Sequence, residues 1–80
     1  MDKQQILEAM QKIFRDNFDD PEIVLTRETC ADDIEGWDSL EQINLLSACE
    51  AEFSLHFQLS DIRGLQNVGD LVDLIERMRG

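Results

Sequence analysis

The chain is poor in the residues that most chemistries need. Its 80 residues include one histidine, two cysteines, one proline and one tryptophan, and 7 basic residues stand against 18 acidic ones. Each shortage excludes something. Cys30 and Cys49 are too few and too far apart for a disulfide framework or a Cys-x-x-Cys metal site. Cys49 falls on an apolar helical face and reads as core, and Cys30 reads as a free thiol in a loop. A formal charge of −11 repels phosphate backbones and anionic membranes, so neither nucleic-acid binding nor membrane insertion is expected. Partners bearing Lys/Arg patches are favoured, with steering that weakens as salt rises; solubility alone is the competing explanation of the acidity. The sequence has no long apolar run and no signal-like start, so a reduced, cytoplasmic protein is expected. This length supports one core: a single domain over 1–80, a monomer, with little room for a deep enzyme cleft.

What is present is helical patterning. With 42% hydrophobic residues the chain is not composed like a disordered one. Ile6, Met10, Ile13, Phe14 and Phe18 recur at helical spacing and predict a first amphipathic helix from about Asp2 to Asn17, ended by Asp19-Asp20-Pro21. From Glu22 to Gly36 no period holds apart from a short apolar Ile23-Val24-Leu25, which makes a long loop. Gly36 allows a turn, Asp38 caps a second helix, and Glu41 stands three residues on as the expected reciprocal partner. That helix has a core face of Leu45, Leu46, Cys49 and Phe53, with Ile43 on the flank, and an opposite face of Glu41, Asn44, Ser47, Ala48 and Ala51. Leu55, Phe57 and Leu59 alternate as in a strand, but no partner strand exists, so an extended connection is expected. Ser60 is expected to cap a short turn from Asp61 to Leu65. Asn67, with Asp70 three residues on, opens a last helix with Val68, Leu71, Val72, Ile75 and Met78 on its apolar face. Arg77 and Arg79 suit its negative end. The fold class is all-α: a small four-helix bundle of three main helices and a short third one, with a long loop between helices 1 and 2.

Ser39 sits where loop becomes helix, in Glu35-Gly-Trp-Asp-Ser-Leu. A catalytic serine needs a base within hydrogen-bond reach, and His56 lies beyond the far end of the same helix. No G-x-S-x-G elbow surrounds Ser39, so hydrolase chemistry is excluded. An EF-hand reading that aligns Gly36 with the loop glycine puts Ala31 at the first ligand position and Gln42 at the twelfth, where carboxylates are required. That site is rejected. Asp38 already fills the cap, which leaves the Ser39 hydroxyl at the positive end of a helix, where an attached anion such as a phosphodiester is stabilised.

G-W-D-S-L, followed by Ile43, Leu45, Leu46, the E-A-E-F of Glu50–Phe53 and V-G-D-L-V-D-L-I from Val68, resembles the acyl carrier protein family from the first helix to the last. The resemblance implies that Ser39 accepts a 4′-phosphopantetheine arm from coenzyme A, installed by a phosphopantetheinyl transferase. It implies that the arm's thiol carries acyl groups as thioesters between acyl-loading and acyl-transfer enzymes, while the protein itself catalyses nothing. It further implies docking of basic partner patches on Asp38, Leu40, Glu41, Asn44, Ser47 and Arg63, and a place for the acyl chain between helices.

Departures from the family pattern are concentrated around that site. Trp37 replaces the usual alanine before D-S-L. Asn44 and Ala51 stand where acids are usual, and Ser47 where methionine is frequent. Phe57-Gln58-Leu59 replaces an isoleucine-proline-aspartate run, Arg63 reverses an acidic position, and Ile62 fills a spot that is often alanine. These features resemble carriers of specialised lipid, polyketide or nonribosomal peptide pathways more than the general fatty-acid carrier. Trp37 is expected to pack over the start of the second helix, with contact to a partner or the arm as the alternative. An unmodified acidic adaptor of the same fold, binding a basic partner non-covalently, is the competing function; the intact D-S-L argues against it.

Overall fold

Four helices form where the apolar periodicity places them. The computed structural model describes residues 2–79, with α1 over Lys3–Phe18, α2 over Ser39–Phe53, α3 over Leu59–Ile62 and α4 over Val68–Arg79. No strand occurs among the described residues, and 55–58 is extended without a partner. α1 packs against both α2 and α4. Its core side chains Ile6, Met10 and Phe14 are fully buried against Leu45, Cys49 and Phe53 of α2 and Val68, Val72 and Ile75 of α4. Burial pushes the Cys49 thiol up to about 12, so it stays protonated and inert.

Several boundaries differ from expectation for local reasons. α1 starts one residue later, because Asp2 is its cap: the Asp2 carboxylate accepts from Gln5 N–H while the Gln5 amide oxygen accepts from Asp2 N–H. It ends at Asp19, which adopts the left-handed conformation. The short third helix begins at Leu59. Its preceding residue is Gln58, whose N–H donates to the Asp61 carboxylate, so Ser60 lies inside the helix and does not cap it. In α4, Leu74 joins the core, while Met78 in the last turn is 38% exposed. At the end of α2, Ser54 is left-handed, and the Glu50 carboxylate accepts from Phe57 N–H. That bond, with a second from His56, holds the Glu50 carboxyl below its usual range.

The loop between α1 and α2 is not loose. Ile23 and Leu25 point into the core while Val24 faces solvent. Side chains of α1 hold this extended segment: Arg15 Nε donates to Ile23 C=O at 2.7 Å, and Leu25 N–H donates to the Gln11 amide oxygen at 3.0 Å. A turn over Thr26–Thr29 follows, closed by the buried Thr29 hydroxyl. The turn then docks on the N-terminus of α4. Val68 N–H donates to Thr29 C=O and Gly69 N–H to Arg27 C=O, both at 2.8 Å, while Asp70 N–H takes the Asn67 side-chain oxygen. Three donors that a helix start leaves without partners are thereby satisfied. The approach requires a glycine, since a Cβ on Gly69 would sit 2.8 Å from Arg27 O. Outside this contact, Arg27 grips Asp73 with two parallel bonds of 3.0 and 2.9 Å, and Lys3 of α1 reaches the same carboxylate at 3.0 Å. A single 3-10 turn, Ala31–Asp33, completes the loop.

Two outcomes follow from this joint. Gly69→Ala is expected to cost roughly 1–3 kcal/mol in urea denaturation because its methyl meets backbone, whereas Gly64→Ala, with open space around its Cβ, leaves stability unchanged or slightly raised; equal midpoints for the two variants would remove the close-packing argument. The hydrogen bonds and charges of Arg27 and Lys3 hold the Asp73 carboxyl at about 2, below its ordinary 3.8. A depressed carboxyl stabilises the fold above its unfolded pKa and loses that contribution as pH falls through the folded one. The stability difference between the parent and Asp73→Asn should therefore be constant above about pH 5, fall away as pH drops through about 2, and shrink with salt because the groups are exposed. A difference independent of pH across that window would contradict the clasp.

Candidate functional site

Gly36 adopts φ +88°, a conformation open to glycine, and turns the loop into Trp37 and Asp38. Asp38 is the cap of α2: its carboxylate accepts from Glu41 N–H at 2.9 Å and its C=O accepts from Gln42 N–H. Ser39 is the first helical residue and is exposed. With the capping done by Asp38, its hydroxyl is spared that role. The reciprocal half of the expected cap is missing. Glu41 does not reach back to Asp38; its carboxylate accepts from Asn17 Nδ2 of α1 at 3.4 Å and from Asn44 Nδ2 at 2.8 Å. An asparagine within reach on each side draws this carboxylate along the helix surface and away from the helix start. Among the described residues no protein acceptor engages the N–H of Ser39 or Leu40, so backbone donors stand open at the positive end of α2 beside the hydroxyl.

Trp37 forms the wall next to Ser39. Its ring stands edge-on to the buried Phe14 at 5.1 Å, and its indole N–H donates to the Gln42 amide oxygen at 2.8 Å. The side chain is half-buried against the core, so the packed arrangement prevails. A cleft of about 600 Å³ opens here, between α2 and the start of α4, lined by Phe14, Trp37, Ser39, Ile43, Val68 and Leu71 among others.

The remaining expected site residues lie around this point without converging on one centre. Leu40 is 66% exposed, Asn44 and Ser47 are exposed along α2, Glu41 is half-buried, and Arg63 follows α3 on the surface. The sequence reading missed Ile43, which is 61% exposed although expected at the edge of the core, and missed Gln42 and Asn67 in the cleft. The Trp37-x4-Gln42 spacing across a cap was the available signal for one of them. His56 pairs with Glu50 at 3.3 Å at the opposite end of α2, about 20 Å of helix from Ser39. Among the described residues no group of three or more potential metal ligands is present, and no helix is long and apolar enough to cross a membrane.

No family model matches the chain. It is similar to the acyl carrier protein of Phenylobacterium zucineum, with 36% identity over 94% of this chain and 95% of that one. The acyl carrier protein of Caulobacter vibrioides shares 38% identity over 88% of this chain and 90% of its own. Among solved structures, the solution NMR structure of holo acyl carrier protein from Geobacter metallireducens superposes with a TM-score of 0.85 and 49% identity, covering 90% of this chain and 83% of that one.

The seating of Trp37 is measurable. Its emission should be blue-shifted in the unmodified protein, and Trp37→Ala should cost about 2–3 kcal/mol, less than a fully buried aromatic because the ring is half-covered. Red-shifted emission together with unchanged stability would place the ring in solvent.

Proposed function

The chain belongs to the acyl carrier protein family, and from that premise we propose that Ser39 is the attachment point of a 4′-phosphopantetheine arm transferred from coenzyme A by a phosphopantetheinyl transferase. The protein is a carrier and not a catalyst. The arm supplies a flexible chain and a thiol that holds acyl groups as thioesters; the protein's part is to present a hydroxyl, tolerate a phosphodiester and shelter the cargo. Its residues fit that part. The observation that carries the reading is Ser39 at the first position of α2, exposed, with its hydroxyl relieved of capping by Asp38. The open N–H groups of Ser39 and Leu40 and the positive end of the helix suit the phosphodiester. The cleft reached from Ser39 is apolar along Phe14, Ile43, Val68 and Leu71 and has room for an acyl chain.

Docking falls to Asp38, Leu40, Glu41, Asn44, Ser47 and Arg63, with Ile43 added by its exposure. Leu40 and Ile43 form an apolar ridge, and Glu41 is the carboxylate beside it, pre-placed by Asn17 and Asn44. Partners are the transferase and acyl-loading and acyl-transfer enzymes that offer basic patches; steering comes from the net charge of −11. The thinning of acids along α2 and the tryptophan at position 37 support a specialised lipid, polyketide or nonribosomal peptide pathway, served in the cytoplasm by this single domain acting as a monomer.

Incubation with coenzyme A and a phosphopantetheinyl transferase should add the mass of one arm, and Ser39→Ala should add nothing. No gain with several transferases would refute the carrier reading for this chain. Glu41→Lys is expected to slow arm transfer on the order of tenfold at low salt, through association rate, with a weaker salt dependence. An unchanged rate would move docking off α2.

A further inference from the structure

We propose that the cleft beside Ser39 selects acyl chains bearing carbonyl or hydroxyl oxygens, which are received by the side-chain amides of Gln42 and Asn67. The inference rests on Ser39 as the attachment point and adds the chemical class of cargo. Both amides line the cleft, Gln42 one helical turn beyond Ser39 and Asn67 across from it at the start of α4. Each has its oxygen committed. The Gln42 oxygen accepts the Trp37 indole N–H at 2.8 Å, and the Asn67 oxygen accepts Asp70 N–H at 2.8 Å. An indole N–H and a backbone N–H are donors only, so neither amide can be turned end for end without setting donor against donor. Both NH2 groups are thereby directed away from their partners. They take no protein acceptor among the described hydrogen bonds, yet no half-buried or buried residue among those described has an enclosed, unpartnered polar atom. Both amide nitrogens therefore keep contact with solvent, on residues that line the cleft.

A saturated chain that enters strips water from these donors and offers nothing in return, which opposes its entry. A chain with oxygens along it replaces the lost water. Sites built to hydrogen-bond a polar group discriminate against the analogue that lacks it, while Phe14, Ile43, Val68 and Leu71 retain the apolar remainder of the chain. Each hydrogen bond should shift the balance between sheltered and solvent-exposed cargo by about fivefold. The arm's own amide carbonyls carry the same acceptor chemistry, so the unloaded arm is the necessary control.

The test uses the protein over residues 1–80 modified with three arms: unloaded, bearing a saturated chain, and bearing a chain of equal length with hydroxyl groups on its third carbon and at its far end, each first verified by intact mass. The readouts are the side-chain amide resonances of Gln42 and Asn67 and the rate of thioester cleavage by hydroxylamine. Only the oxygenated chain should move both amide resonances, and its thioester should be cleaved more slowly than that of the saturated chain. Gln42→Glu and Asn67→Asp keep the acceptor that holds Trp37 or caps α4 but remove the donor; each should abolish about fivefold of the protection while still accepting the arm. Equal shifts with saturated and oxygenated chains, no shift with either, or protection unchanged in both variants would overturn the proposal. Shifts already present with the unloaded arm would assign the donors to the arm and overturn the cargo claim. Failure of any arm to attach would instead overturn the reading of Ser39, and this inference with it.

Discussion

The fold depends on the seam where the Thr26–Thr29 turn meets the first turn of α4. Thr29 and Arg27 carbonyls take the N–H groups of Val68 and Gly69 at 2.8 Å. The contact answers two needs at once: a helix start with open donors and a loop with open acceptors, both at the edge of the core. It is possible only because Gly69 has no side chain to meet Arg27 O. The Arg27–Asp73–Lys3 cluster then ties the same loop to α4 and α1, and Arg15 and Gln11 secure the stretch before it. A loop fastened in this way delivers Gly36, Trp37 and Asp38 to a defined place, so the start of α2 is positioned from outside the helix as well as by its own propensity.

The starts of α2 and α4 contrast in a way that bears on function. At α4 the first donors are consumed by the loop and by Asn67. At α2 only the Glu41 and Gln42 N–H groups are taken, both by Asp38, and Glu41 is held elsewhere by Asn17 and Asn44. One helix end is sealed and the other remains available to an anion. Trp37, braced on Phe14 and bonded to Gln42, walls the available end and borders the cleft. Trp37 thus stands beside Ser39 on the wall of the cleft.

Much of this was legible in the sequence because it is local. The Asp38 cap, the Leu45-Leu46-Cys49-Phe53 face and the Asn67–Asp70 pair are fixed by spacings of three and four residues, which helix geometry converts directly into contacts. What escaped notice is long-range. Arg27 meets Asp73 across 46 positions, and no period in the loop announces it. Gly69 offered a signal, since a glycine in a helix is costly and calls for a packing reason, but its partner carbonyl was not deducible. Glu41 satisfies the capping-box spacing, but Asn44 three residues on at 2.8 Å and Asn17 of another helix at 3.4 Å compete for its carboxylate. Ser60 has the better capping side chain, but the short helix begins one residue before it, so Gln58 holds the cap position. The position of Ser39 at the start of α2 was readable from its neighbours, whereas the shared place of Gln42 and Asn67 on one cleft became visible only once α2 and α4 faced each other.

The central claim is that the open start of α2, and no other part of the surface, is where the chain is modified. Serines also occur at positions 47, 54 and 60, all three on exposed helix or cap surface like Ser39, so exposure alone does not single out position 39. Fragment-ion mapping of the proteolysed, modified protein locates the phosphodiester directly. The account predicts the arm on the peptide fragment containing Ser39 and on no other serine; an arm found on Ser47, Ser54 or Ser60 would contradict it.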